Sequence, residues 1–270
     1  MTLPVTPPAQ RLLTPLDPPA FTQVNSAGKA NVVLICDHAS NRMPQCLGTL
    51  GLAPAHLCDH IAWDPGAQAV AETLSALLDA PLVLCNYSRL VIDCNRPLAS
   101  AESIPCITAG IPIPGNDGLD RTGRHARIEA IFRPYHDAIG ALIDARLRHQ
   151  PADSLRLLSI HSFTPHLNGT ARPWLVGVSN RRQRAFAESL IGSLRERVPG
   201  LVGDNLPYGI DDEHDYSLPT HGERRGITHA MIEIRQDELR DDSAARRWAE
   251  HLASACRCSE QDMSRRPSSP

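Results

Sequence analysis

With 270 residues, 42% of them hydrophobic and 21% charged, the chain is long enough for one substantial core and ordinary for a folded domain. A net charge of −3, from 27 basic and 30 acidic residues, gives no electrostatic case for a nucleic-acid or membrane-surface partner. No apolar run approaches the roughly 20 residues of a membrane span, and Met1–Ala20 lacks a signal-peptide pattern, so a cytoplasmic protein is expected.

Residues 1–25 are proline-rich without a sustained period and predict an extended arm ahead of a domain over 26–258. Val32–Cys36 predicts a buried strand. Val70, Leu74, Leu77 and Leu78 share one stripe over Gly66–Asp79 and predict a helix. Leu82–Cys85 is the next strand, with Val91–Cys94 a shorter candidate. Residues 100–122, rich in Pro, Gly and Ile, predict a long loop over the strand ends. The apolar stripe Ile128, Ile131, Tyr135, Ile139, Leu142 and Ile143 predicts a helix over Gly123–His149, which Pro134 should kink or split. Strands follow at Leu155–Ile160, Trp174–Val178 and Ala230–Ile234. Helices are predicted at Arg182–Val198 and Asp242–Cys256, and a disordered polar tail at Ser259–Pro270. Strands alternating with helices predict an α/β domain with a mostly parallel central sheet.

Two of these strands run into a histidine. VVLICDH ends at His38 and LRLLSIH at His161, each followed by small or polar residues, and a third apolar run carries Glu233. Two imidazoles beyond the carboxyl ends of parallel strands can converge on a metal. A catalytic zinc takes three protein ligands and leaves one position open, with a carboxylate nearby as base. The best third ligand is Asp64 in HIAWDPGA, although Asp before Pro at a helix start also reads as an N-cap. Glu233, flanked by Met231, Ile232 and Ile234, is costly to bury without a partner or a function. Arg235 lies on the same face of that strand. Arg89, Asn95 and Arg96 bracket the segment 91–94 and could hold substrate carboxylates, or could form ordinary Arg–Asp pairs with Asp93. His221 stands in a glycine-bearing loop and is a weaker candidate for substrate contact. The eight cysteines form no CxxC pair, so thiolate zinc ligation is not expected.

The pieces VVLICDHASNRMP, HIAWDPGA, YSRLVIDCNRP, RPYHDAI, LLSIHSF and HAMIEIRQD resemble, in order, the N-formylglutamate amidohydrolase family. A more distant likeness is to zinc-dependent N-acetylmuramoyl-L-alanine amidases. The resemblance implies a single-domain three-layer αβα fold of the phosphorylase/hydrolase-like kind. It also implies one zinc ion on His38, Asp64 and His161, with Glu233 as catalytic base. The implied activity is hydrolysis of an N-acyl acidic amino acid such as N-formyl-L-glutamate, a closing step of histidine degradation in the family. Substrate carboxylates would be met by Arg89, Asn95, Arg96, Arg235 and His221. The first motif departs from the family's Pro-His-Ser-Gly, reading Asp37-His38-Ala39-Ser40. That leaves room for another N-acyl amino acid, a peptidoglycan-derived peptide, or a non-catalytic dicarboxylate-binding role.

Overall fold

The computed structural model describes residues 11–167, 169–182 and 184–265. The first half of the chain forms β1 (Phe21–Val24), β2 (Val32–Cys36), the single turn α1 (Pro54–Leu57), α2 (Ala67–Leu78) and β3 (Leu82–Cys85). A small hairpin of β4 (Ile107–Thr108) and β5 (Ile111–Pro112) leads to α3 (Arg121–Arg127) and α4 (Arg133–Leu147). Then come β6 (Arg156–Phe163), a second hairpin of β7 (His166–Leu167) and β8 (Thr170–Ala171), β9 (Trp174–Ser179) and α5 (Arg184–Arg197). The chain continues through β10 (Leu201–Asp204), α6 (Ser217–His221), β11 (Thr228–Arg235) and α7 (Asp242–Arg265).

Seven strands make one sheet in the order β1-β3-β2-β6-β11-β9-β10. The four central strands β3, β2, β6 and β11 run parallel, while β1 is antiparallel to β3 and β9 is antiparallel to β11. Strands β2 and β3 are apolar at every position because both faces are covered. Their alternate residues feed two cores. Leu34, Leu84, Ile160 and Ile232 pack with Leu74 of α2, Leu190 of α5 and Leu252 of α7. Val33, Ile35, Val83, Leu157 and Met231 pack on the other face with Ile139 and Ile143 of α4. The fold is thus a three-layer α/β domain, as the strand–helix alternation predicts. No helix among the described residues is long and apolar enough to cross a membrane.

Several local expectations change. The proline-rich arm contributes the edge strand β1, paired with β3, while residues 1–10 of that arm lie outside the described residues. The apolar run Val91–Cys94 is not a strand. Its neighbourhood is a buried turn whose carbonyls are met by side chains: Asn116 Nδ2 donates to Leu90 O at 2.9 Å and Arg127 Nη1 to Val91 O at 2.8 Å. The long helix over 123–149 divides into α3 and α4 through a π turn at Ile128–Phe132, just before Pro134. The final helix continues to Arg265, past Ser259 where the sequence predicts a tail, and residues 266–270 lie outside the described set.

Gly177 on β9 and Gly203 on β10 let the segment after β10 lie directly on the sheet. A Cβ at either position would land on the Leu206 carbonyl oxygen. Gly177 pairs with Glu233 across the β9–β11 ladder, so this close approach carries residues 207–209 to the site described next. Gly177→Ala is expected to destabilise the fold by about 1–3 kcal/mol, because backbone rather than a flexible side chain must move. A shift in denaturant midpoint at unchanged slope would measure it.

Candidate metal centre and active site

The carboxyl ends of β2, β6 and β11 face the same end of the sheet, where open α/β sheets place their sites. His38 follows β2 by two residues. His161 lies within β6 rather than just beyond it, because that strand runs on to Phe163. Glu233 is the direct register partner of His161 on β11. Alternation then projects both side chains from the face shared with Met231. Asp64 arrives on the segment before α2, whose backbone is tied back to the first histidine by Asp64 N donating to His38 O at 3.0 Å.

The open question at Asp64 turns on its side chain. The N-cap of α2 is Gly66, and it receives no side-chain capping bond. The Asp64 carboxylate turns away from the helix instead, with Oδ2 at 2.8 Å from His161 Nδ1 and 3.3 Å from His38 Nδ1. One ligand atom from each of the three buried residues lies within 4.8 Å of the others.

The far side of each imidazole is held as well. His38 Nε2 meets Asp93 Oδ1 at 2.7 Å, and His161 Nε2 meets Asp37 Oδ2 at 3.2 Å. Asp37 is itself fixed, accepting from Ser159 at 2.9 Å, Tyr135 at 3.1 Å and Ser217 at 2.5 Å. This is the carboxylate–histidine arrangement that fixes ring orientation in metal sites and leaves the opposite nitrogen, here Nδ1, as the donor. Electrostatics agree. Burial lowers the proton affinity of His161, yet hydrogen bonds to Asp37 and Asp64 raise its pKa well above the usual value. Burial and Arg89 likewise oppose a charge on His38, and Asp93 with Asp64 outweigh them. The cluster favours positive charge between the two Nδ1 atoms and Asp64, which a divalent cation would supply. Two imidazoles and one carboxylate are a donor set suited to zinc. Asp93→Ala is expected to weaken metal binding about 10–100-fold, measurable by chelator competition.

The cluster forms the floor of a cavity of about 480 Å³, the usual size for a small-molecule site. Glu233 sits on its wall at 7% exposure. Burial, reinforced by Asp64, pushes its pKa up to about 7 against the opposing charges of His161, His38 and Arg89. A carboxyl poised there can take and return a proton at neutral pH.

The other residues singled out by sequence divide into two groups. Arg89, Asn95 and Arg96 line the cavity. Arg89 Nη2 is paired with Asp93 Oδ2 at 2.7 Å, and Arg96 Nε with Glu102 Oε2 at 2.9 Å. Asn95 spends its amide on structure, donating to Asp215 at 3.0 Å and accepting from the backbone N–H groups of Tyr216 and Ser217. Arg235 and His221 do not line the cavity. Arg235 is paired with Asp237 at 2.7 Å. His221 is stacked on His136, with their facing nitrogens 3.0 Å apart, and burial pushes the two pKa values down to about 3 and 4. Sequence reasoning did not single out Asp37 as a histidine partner, nor Tyr208 and His60 as cavity wall. Adjacency of Asp37 to His38 was the available signal for the first; nothing local marks the other two.

Comparison with known proteins completes the description. The model of the family described as N-formylglutamate amidohydrolase matches residues 30–240. No curated protein matches the chain. Among solved structures, gene product Atu2144 from Agrobacterium tumefaciens is 35% identical with a TM-score of 0.89, and the match covers 94% of this chain and 100% of that one. The N-formylglutamate amidohydrolase from Ralstonia eutropha JMP134 is 17% identical with a TM-score of 0.66, covering 90% of this chain and 97% of that one, a likeness of fold. The matched span begins before the first metal-site histidine and ends after Glu233, so every element of the buried cluster falls inside it, and the chain belongs to the N-formylglutamate amidohydrolase family.

Proposed function

We propose that this protein is a zinc-dependent amidohydrolase that removes the acyl group from an N-acyl acidic amino acid, with N-formyl-L-glutamate the first substrate to consider. The observation that carries this reading is the register pairing of Glu233 with His161 beside Asp64 and His38, at the floor of a substrate-sized cavity. A divalent cation held by His38, Asp64 and His161 supplies Lewis acidity, acidifying water and polarising the scissile carbonyl.

The chain's own groups do the rest. Glu233 Oε accepts the proton of the attacking water and returns it to the amide nitrogen as the C–N bond breaks, so formate and the free amino group leave together. Asp37 and Asp93 keep both imidazoles oriented with Nδ1 toward Asp64. Arg89, anchored by Asp93 and 3.6 Å from Asp64, sets a fixed positive charge beside the reacting centre. Arg96, next to Asn95 on the wall, is placed to meet the substrate's α-carboxylate. Arg235 and His221 lie outside the cavity lining and have no part in this scheme. Products of this kind fit a cytoplasmic step in histidine degradation, as the family resemblance implies.

The test is formate release from N-formyl-L-glutamate by protein of known metal content, before and after chelation. Release that disappears with the metal and returns with added zinc is the expected result. Stoichiometric zinc without release would move the substrate to another N-acyl acid. Absence of both would end the hydrolase reading.

A further inference from the structure

The arginines nearest the proposed reacting centre each already have a carboxylate partner. Arg89 has Asp93 and Arg96 has Glu102, while Arg235, outside the cavity, has Asp237. An N-acyl acidic amino acid brings two carboxylates, and a cation without a carboxylate partner beside the cavity would favour the second of them. Arg172, which immediately follows the β7–β8 hairpin, is such a cation.

Arg172 is 7% exposed and makes no ion pair among the described residues. Its guanidinium carbon stands 4.8 Å from the Tyr208 ring centroid and 5.7 Å from that of Phe163. Nη1 donates to the Tyr208 hydroxyl at 2.7 Å. Tyr208 and Phe163 both line the cavity that holds His161 and Glu233, and Arg172 stands behind them, outside the lining. Burying a cation without a carboxylate is costly, and aromatic faces recover only part of that cost. The planar guanidinium fork also fixes the direction of the bond to the Tyr208 hydroxyl. Because the Tyr208 oxygen accepts from Arg172, its own hydrogen is directed elsewhere. Burial and the charge of Glu233 raise the phenol's pKa, so it stays a donor.

We propose that Tyr208, with the Arg172 guanidinium bonded to its hydroxyl from behind, forms the subsite for the substrate's side-chain carboxylate, and that this pair selects acidic N-acyl amino acids over their neutral amides. The proposal rests on the amidohydrolase reading above. Two readouts separate them: the ratio of kcat/KM for N-formyl-L-glutamate over N-formyl-L-glutamine, and the ratio of Kd for L-glutamine over L-glutamate on the zinc-loaded protein.

Arg172→Met is expected to lower the first ratio about 100-fold, mainly through KM, and to remove the preference for glutamate in binding. Tyr208→Phe, at a position 39% exposed, tests the same subsite with little threat to folding and should lower both ratios about tenfold. Arg172→Lys, which keeps the charge but not the fork, should fall between the wild type and Arg172→Met. Ratios unchanged in Arg172→Met and Tyr208→Phe overturn the subsite, as does an equal loss on both substrates. If the wild type hydrolyses neither formyl compound yet prefers glutamate in an Arg172-dependent way, the substrate assignment falls and the subsite stands. Neither hydrolysis nor a glutamate preference overturns both.

Discussion

Glu233→Gln is expected to lower kcat by about 10²–10⁴-fold while the protein keeps its full complement of metal. The substitution preserves shape and removes only the group that accepts a proton. Glu233 is not among the three clustered ligand residues, so metal content measured by atomic emission should match the wild type. Retained activity would remove Glu233 from the chemistry. The pH profile provides an independent check. A general base works in its deprotonated form, and burial places this carboxyl near pH 7. Below its pKa, kcat/KM should therefore fall tenfold per pH unit, and that acidic limb should be absent from the residual activity of Glu233→Gln. A cation bound beside Glu233 pulls the pKa down, so in the zinc-loaded protein the limb lies at or below pH 7.

Asp64→Ala should behave in the opposite way, losing metal and activity together. Its Oδ2 is the point on which both Nδ1 atoms converge. Without it only two neutral donors remain, fewer than the three protein ligands a catalytic zinc ordinarily has. Metal stoichiometry after dialysis should drop toward zero, with turnover falling in proportion, and excess zinc should restore only part of it. Full metal content in this variant would mean that Asp64 is not a ligand. Comparing the two variants separates the chemical step from metal retention, which activity alone cannot do.

Two histidines and the glutamate of the candidate site were legible because their signals are local. His38 closes an apolar run two residues past β2, His161 and Glu233 stand inside β6 and β11, and residues of that kind in a buried run need a partner or a purpose. The central strands β2 and β3 were legible because parallel strands covered on both faces are continuous apolar words, and β6 and β11 by the shorter apolar runs around Leu158 and Ile232. Strand β1 was hidden because FTQV is a half-exposed edge without alternation, and β10 because LVGD is four residues long with a glycine. The run Val91–Cys94 misleads for a physical reason: Asn116 and Arg127, remote in sequence, supply the hydrogen bonds that a sheet would otherwise give it. Asp64 was ambiguous between cap and ligand, since the direction of one carboxylate is a tertiary fact. Arg172 escaped notice because the rings around it, Tyr208 and Phe163, are brought there by the fold and not by its neighbours in the chain.

Glu233 and His161 share one rung of the ladder between β6 and β11, in the middle of the sheet, whereas Arg172 and Tyr208 sit on connecting segments at its rim. The chemistry is therefore built into the part of the molecule that opens last, and amide hydrogens along this rung should exchange only when the whole domain unfolds. The groups proposed to read the substrate belong to connecting segments, which tolerate insertion and replacement. Descendants of such an ancestor could acquire new acyl amino acids by remodelling the rim, without ever passing through a form that had lost its reaction.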